Sequence, residues 1–320
     1  MRIPTRLVLL LASVPAIGVV AAPPQAPRDE TAAIARTIEA NYFDEERGRR
    51  IADELRAAAK RGEFDALTDP RDLAAALTSR LHPLDGHFRV GTTADARMPG
   101  TGPRQGPPPP GLAEHNPVAA AEVLGGNIGY LRLDHFADVA RRDAPARQAL
   151  DAALHQLSRT SAMIIDLRGG HGGSPTMVGY LVSAFVAPDA DVYNVFHSRQ
   201  GSHSEAPSER YAQPRTTVPL YVLTDAHDRS AAESFAYTLK NARRATLVGE
   251  ATEGAANPGR EFAAADGLVV FVPTASPLNP ISHANWEGSG VTPNVATPAA
   301  KALDVALELA HKAAAHMPSR

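Results

Sequence analysis

The sequence contains no cysteine among its 320 residues. Disulfides, a thiolate nucleophile and cysteine-ligated zinc or iron–sulfur sites are therefore excluded, and a nucleophile would have to be a hydroxyl, an amine or a carboxylate. No charge of one sign dominates either, because the formal net charge is -3 and the basic residues are scattered along the chain. This balance argues against a nucleic-acid partner and against binding to an anionic membrane surface.

A long apolar run is also missing. A spanning helix needs about 20 apolar residues, whereas the stretch over residues 7–20 is shorter and is interrupted by a proline and a glycine. It follows Arg2 and Arg6 and precedes two alanines, which is typical of a signal peptide. We expect residues 1–22 to be removed and the protein to be exported, periplasmic or secreted, with no stable membrane insertion. An uncleaved anchor is the alternative, since Pro23 lies near the cut.

The first part of the mature chain has helical periodicity. Apolar residues recur at three- and four-residue spacing over residues 31–42, 45–61 and 71–81, which predicts three short helices. We expect a small helical bundle over residues 23–95. Residues 96–118 are rich in proline and glycine and predict a stiff linker.

Strands and helices alternate in the rest of the chain, residues 119–320. Such alternation predicts an α/β domain with helices packed on a sheet. The expected strands cover residues 127–133, 162–167, 220–224, 245–249 and 268–273, and the expected helices cover residues 144–157, 177–185, 230–241 and 299–310.

A glycine-rich turn follows the second of these strands, within residues 164–175. Glycines at such a junction expose backbone N–H groups that bind anionic oxygen, either of a phosphate or of a tetrahedral intermediate. The Gly-Lys-Ser/Thr ending of a phosphate loop is absent. Gly172 and Gly173 are therefore candidate oxyanion donors, and a purely structural turn is the alternative.

A serine begins the helix that follows the next strand. Ser230 with Glu233 has the pattern of a capping box, which is the default interpretation of a serine at this place. The position also suits a nucleophile, because the N–H of Ala231 lies beside it and can serve as an oxyanion donor. His227 is near enough in sequence to be its base, although an exposed loop histidine is the more ordinary interpretation.

Taken together, several segments resemble the C-terminal-processing (tail-specific), tricorn and interphotoreceptor retinoid-binding protein superfamily of serine peptidases. The resemblance covers roughly residues 120–310, and its motifs are residues 128–133, 165–173, 230–235, 247–252 and 285–293. It implies a ClpP/crotonase-like catalytic domain after the helical bundle, with Ser230 as nucleophile. It also implies a peptide or protein substrate and no cofactor.

The superfamily has two catalytic arrangements, and the residues of this chain at the corresponding positions favour one of them. Where the processing branch has a lysine base, this chain has Ala255, and it also lacks a PDZ domain. The tricorn-like branch uses Ser, His and Glu, and the resemblance then implies His87 as base and Glu287 as the group that orients it. Gly86 replaces the serine that tricorn has before this histidine, so Asp85 is an alternative orienting group.

A neutral imidazole with a pKa near 6.5 can accept the hydroxyl proton, provided that an acceptor fixes its tautomer. The histidines include no tight H-x-x-x-H spacing, so no metal is expected. The sequence thus predicts an exported serine peptidase. A catalytically silent, retinoid-binding-like carrier of an apolar ligand and a crotonase-type acyl enzyme are the alternatives.

Overall fold

The computed structural model describes residues 27–96, 116–265 and 267–315. The expected signal peptide and most of the expected linker lie outside these ranges. Among the described residues, the helices are all too short or too polar to cross a bilayer.

The helices agree closely with the expected ones. Their bounds are α1 (Pro27–Asn41), α2 (Glu45–Lys60), α3 (Pro70–Leu81), α4 (Thr93–Ala96), α5 (Pro145–Gln156), α6 (Pro175–Ser183), α7 (Ala231–Asn241) and α8 (Ala302–Ala315), with a 3₁₀ turn over Ala299–Lys301 before the last. Side chains fix several of the starts, since the carboxylates of Asp44 and Asp69 accept hydrogen bonds from the first turns of α2 and α3.

The strands include all five that were expected and several short ones that were not. They are β1 (Arg89–Thr92), β2 (Val118–Leu124), β3 (Ile128–Leu133), β4 (His135–Phe136), β5 (Ala162–Asp166), β6 (His171–Gly173), β7 (Val195–Ser198), β8 (Gly201–Ser204), β9 (Leu220–Thr224), β10 (Thr246–Gly249), β11 (Gly259–Ala265), β12 (Leu268–Pro273), β13 (Ala275–Leu278) and β14 (Val295–Ala296).

A six-stranded sheet in the order β14-β10-β9-β5-β3-β2 forms the centre. Its strands are parallel except for β2, which pairs antiparallel with β3. Successive side chains of one strand enter different cores, so that Ile165 packs with α5, α6 and α7 while Ile164 packs with α8. Helices thus cover both faces, and the predicted α/β class is confirmed.

This topology places two of the motifs at one edge. Strands β5 and β9 are parallel neighbours, with Asp166 beside Leu223 in the register. The carboxyl ends of parallel strands lie at the same edge of a sheet, where α/β proteins commonly bind ligands. The glycine-rich turn after β5 and the loop that leads to Ser230 after β9 therefore emerge side by side.

The N-terminal helices share a core with strands from the far end of the chain. Helices α1, α2 and α3 pack on a three-stranded sheet in the order β1-β12-β11. Strand β1 begins two residues after His87 and pairs antiparallel with β12, with Val90 opposite Val270. The pairing ties the segment that carries His87 to residues that lie far along the chain.

Candidate active site

Ser230 has an unusual backbone conformation. The residues that precede α2, α3, α5 and α6 are extended, with φ between -64° and -94°, as is normal for a helix cap. Ser230 instead has φ 55° and ψ -117°. A positive φ strains any residue with a β-carbon, and such strain collects at functional sites, where the surrounding structure maintains it. The capping-box interpretation alone does not account for this conformation.

The glycine-rich turn lies directly against this serine. A β-carbon on Gly172 would lie 2.6 Å from Ser230 Cβ and 3.0 Å from its Oγ, so only glycine allows the approach. Gly173 has a φ of 138° and belongs to β6, which pairs with β4. Ala231 is the first residue of α7, so its N–H has no acceptor within the helix. The three predicted oxyanion donors therefore lie on two segments next to Ser230: Gly172 and Gly173 in the glycine-rich turn, and Ala231 at the start of α7.

Glu233 holds the serine and a neighbouring loop together. Its carboxylate is fully buried and accepts the backbone N–H of Ser230 at 2.9 Å. It also accepts the N–H groups of Gly254 and Ala255, at 2.7 Å and 2.8 Å, and the hydroxyl of Thr252. Burial raises the pKa of Glu233, and these donors oppose the rise. Ala255 thus supplies a backbone hydrogen bond to this carboxylate, and its methyl side chain offers no base.

Glu287 holds the next part of the same loop. Its Oε2 accepts the N–H groups of Ala256 and Asn257, at 2.8 Å and 3.0 Å. The four consecutive amides from residue 254 to residue 257 are therefore divided between two carboxylates. One of these carboxylates holds Ser230, and the other faces His87. This loop connects the two parts of the predicted site.

His87 lies between two carboxylates. Its Nδ1 is 2.9 Å from Oε1 of Glu287 and 3.4 Å from Oδ1 of Asp85. Oδ1 of Asp85 also accepts the backbone N–H of His87, while its Oδ2 accepts hydrogen bonds from Tyr42 Oη and Asn257 Nδ2. With Nδ1 engaged in this way, a neutral imidazole carries its proton on Nδ1, so that Nε2 is free to accept one.

The surroundings change the pKa of this histidine. Burial disfavours the imidazolium, but the hydrogen bonds and charges of Asp85 and Glu287 outweigh it and raise the pKa of His87 to about 9. The pKa of Asp85 is lowered, because hydrogen bonds from His87 and Tyr42 outweigh its burial. The ordinary histidine pKa expected from the sequence is therefore wrong for the folded chain, where the imidazolium persists above neutral pH.

In the described part of the chain, no hydrogen bond joins Ser230 to His87. Asp85, His87 and Glu287 are also a cluster that could hold a metal ion, since one ligand atom from each lies within 4.8 Å of the others. Their oxygens, however, already accept backbone, phenol and amide donors, an arrangement suited to holding a protonated imidazole.

A cavity of about 620 Å³ lies beside Ser230. Gly173 and Ser230 form part of its wall, and much of the remaining lining is apolar: Pro175, Phe196, Ala231, Ala256, Pro258, Ala275 and Trp286. Neither His87 nor His227, the alternative base, is among the residues that line this cavity, and His227 is exposed.

Several residues that shape the site were not foreseen in these roles from the sequence. Tyr42 and Asn257 position Asp85, and Glu233 holds the loop at residues 252–255 in addition to capping α7. Tyr42 and Asn257 have no motif around them, and they meet Asp85 only after folding. For Glu233 a signal existed, because a carboxylate one turn into a buried helix requires several hydrogen-bond donors.

Comparison with known proteins agrees with this architecture. The model of "Peptidase family S41" matches residues 127–297, just over half of the chain. Among curated proteins, the carboxyl-terminal-processing protease of Synechocystis is 33% identical over 178 residues, covering 54% of this chain and 39% of the relative. The chloroplastic carboxyl-terminal-processing peptidase 1 of Arabidopsis thaliana is 26% identical, over 52% of this chain and 33% of the relative. The chain thus spans less than half the length of these relatives.

Solved structures share the fold over most of the chain. The photosystem II D1 C-terminal processing protease has a TM-score of 0.57 and 18% identity, covering 90% of this chain and 97% of that one. A lipoprotein from Streptococcus agalactiae also has a TM-score of 0.57, with 15% identity, over 92% of this chain and 99% of that one. At such identities the likeness concerns the fold.

Proposed function

The chain belongs to peptidase family S41, and from this premise we propose that it is a serine peptidase that hydrolyses peptide bonds through an acyl-enzyme on Ser230. The resemblance to C-terminal-processing peptidases that its motifs predict is confirmed at the level of the family. The observation that carries the proposal is the strained backbone of Ser230 beside a substrate-sized cavity. An ordinary helix cap needs neither feature.

The proposed reaction uses the atoms described above. Ser230 Oγ attacks the peptide carbonyl while His87 Nε2 accepts its proton, and the imidazolium then protonates the leaving amine. A water molecule hydrolyses the acyl-enzyme with His87 as base again. Glu287, with Asp85 beside it, keeps the Nδ1 proton in place and stabilises the imidazolium. Hydrogen bonds between nucleophile and base are often long or poorly aligned before substrate binds, so we expect the Ser230–His87 bond to form in the complex.

Backbone N–H groups of the glycine-rich turn and of Ala231 form the proposed oxyanion hole. A β-carbon on Gly172 would collide with the serine side chain, so this glycine lies directly beside it, and Ala231 adds a free N–H at the positive end of the α7 dipole. The proposed substrates are exported peptides or proteins, and the proposed location is the periplasm or the outside of the cell, because the segment before residue 23 has the pattern of a signal peptide.

The test is covalent labelling together with peptide hydrolysis. The wild-type protein should react with a fluorophosphonate probe and cleave fluorogenic peptides, and Ser230→Ala should lose both activities. The variant should remain folded, because a helix cap contributes only about 1 kcal/mol. Ser79→Ala, which changes an exposed serine of α3, is the matched control and should behave as wild type. Turnover of peptides by Ser230→Ala, or a folded wild-type protein inert to probe and peptides, would overturn the proposal.

A further inference from the structure

One buried carboxylate in the cavity takes no part in the proposed chemistry. Glu205 directly follows β8 and lines the cavity beside Ser230, yet only 6% of the residue is exposed. Charged groups are seldom buried so deeply without an opposite charge. Its position on the wall of the cavity makes it a candidate contact for substrate.

The contacts of Glu205 leave half of its carboxylate available. Oε2 accepts hydrogen bonds from Ser234 Oγ at 2.7 Å and from Asn194 Nδ2 at 3.2 Å. Among the hydrogen bonds of the described residues, none reaches Oε1, and no described cationic group lies within 4.0 Å of Glu205. Two neutral donors compensate a buried negative charge only in part.

The cationic or titratable side chains nearest to Glu205 are bound to other groups or point to solvent. Arg147 lines a smaller adjoining cavity that Glu205 also borders, but its guanidinium pairs with Asp151 and Glu209 and donates to a backbone carbonyl. His203 is stacked on Phe196, and Arg260 is exposed and lies over the ring of Phe262. The cavity therefore contains one buried carboxyl group that is paired with no cationic side chain of the described residues.

We propose that Glu205 is a specificity-determining residue, and that its Oε1 binds the cationic side chain of a substrate lysine or arginine. The inference rests on the proposed peptidase function and adds the class of substrate. Ser234, which donates to Glu205, is four residues after Ser230, and four residues of helix rise about 6 Å. The four-carbon stem of lysine is suited to such a span.

The rest of the cavity suits the alkyl part of such a side chain. Phe196, Pro258 and Trp286 line it, and long cationic side chains bury their stems against apolar surface while the charged end binds a partner. An acidic substrate residue would instead meet the buried carboxylate as a like charge.

The first test compares matched peptides. The ratio of kcat/KM for a lysine peptide to that for its norleucine analogue should be on the order of 10 to 100, which is the range expected for a hydrogen bond to a charged group. Glu205→Gln keeps the size of the side chain and should reduce this ratio to near one while retaining turnover of the norleucine peptide. Glu122→Gln, which changes an exposed carboxylate of β2 that lines neither cavity, is the matched control and should keep the wild-type ratio.

A second measurement uses pH. Burial raises the pKa of Glu205 to about 7, and the hydrogen bonds from Ser234 and Asn194 oppose the rise. The selectivity ratio should therefore increase through about pH 7 as the carboxylate ionises. Ionisation of His87 affects both peptides alike and cancels in the ratio. In Glu205→Gln the ratio should be independent of pH.

The outcomes separate this inference from the proposed function. Turnover that depends on Ser230 but shows no preference for a cationic residue, or a preference that survives in Glu205→Gln, would overturn the role of Glu205 and leave the peptidase intact. If no peptide is cleaved, the proposed function fails, and anisotropy of labelled lysine and norleucine peptides then tests the site directly. Equal binding of the two peptides would overturn the inference, and tighter binding of the lysine peptide that Glu205→Gln removes would support it.

Discussion

The Ser230 side of the site and the His87 side are held by different kinds of contact. Ser230 is positioned by Glu233, which is three residues away, and by a glycine turn at the end of the neighbouring parallel strand. His87 is positioned by Glu287, which is 200 residues away, and by Asp85, which depends in turn on Tyr42 and Asn257. The nucleophile thus has a local scaffold, whereas the base is assembled from distant parts of the chain.

Because of this difference, substitutions in the two regions should have different effects on stability and turnover. The carboxylate behind Ser230 is fully buried, whereas the side chains of His87 and Glu287 are 20% and 18% exposed. Buried contacts contribute more to stability, because an unsatisfied buried donor cannot turn to water. We expect changes behind Ser230 to reduce both stability and turnover, and changes to His87 or Glu287 themselves to act mainly on turnover and its pH dependence.

The largest effect should follow from removing the base. His87→Ala should lower kcat/KM on the order of 10⁴-fold, with the remaining rate coming from the oxyanion hole and substrate binding. Steady-state kinetics on one fluorogenic peptide measure the loss, and thermal melts should show a folded variant. His227→Ala removes an exposed loop histidine and serves as the control. Near-wild-type kcat/KM for His87→Ala would refute the Ser–His–Glu arrangement.

A smaller effect on activity, together with a loss of stability, is expected behind the nucleophile. In Glu233→Gln the side-chain amide replaces the carboxylate that binds these donors in the wild type, and its NH₂ group faces one or more of them. We therefore expect kcat to fall about 10- to 100-fold and the free energy of unfolding to fall by about 2 kcal/mol. Denaturant titration and kinetics measure the two quantities. Glu253→Gln, which alters an exposed carboxylate paired with Arg229 in the same loop, is the control. Unchanged stability in Glu233→Gln would mean that the buried carboxylate does not hold this loop.

The smallest effect concerns pH. Because the pKa of His87 is raised to about 9, kcat/KM of the wild type should increase up to about pH 9 as the imidazole loses its proton. The stability that the imidazolium contributes should be complete below pH 6.5 and lost as the pH rises through about 9. Asp85→Asn removes one of the two charges, so the rise in kcat/KM should move to lower pH by about one unit. A profile that stays in place would exclude Asp85 as a determinant of this pKa.

The sequence predicted the parts of this molecule that depend on local pattern. The expected helices and strands occur within a few residues of their places, because buried strands and amphipathic helices have clear periodicities. It did not predict the other nine strands, which are short or partly exposed and carry no such pattern: β1, β2, β4, β6, β7, β8, β11, β13 and β14. The expected signal peptide, domain boundaries and catalytic roles stay predictions.

In the candidate site, too, some features could be predicted from the sequence and others could not. Ser230, His87 and Glu287 stand in recognisable motifs, and the last two lie 2.9 Å apart. The strained φ of Ser230 and the unpaired carboxyl group of Glu205 are properties of the folded backbone and of the packing around one cavity. No residue pattern encodes them separately, so they became visible only in three dimensions.

The long separation between His87 and Glu287 also bears on how the protein is made. A ribosome synthesises the imidazole first, Ser230 next and Glu287 last, and β12, which pairs with the strand after His87, also comes late. A nascent or prematurely terminated chain therefore lacks the complete set of proposed catalytic groups. Under the proposed mechanism, a chain that ends before Glu287 lacks the carboxylate that holds Nδ1 of His87 and should not hydrolyse peptides.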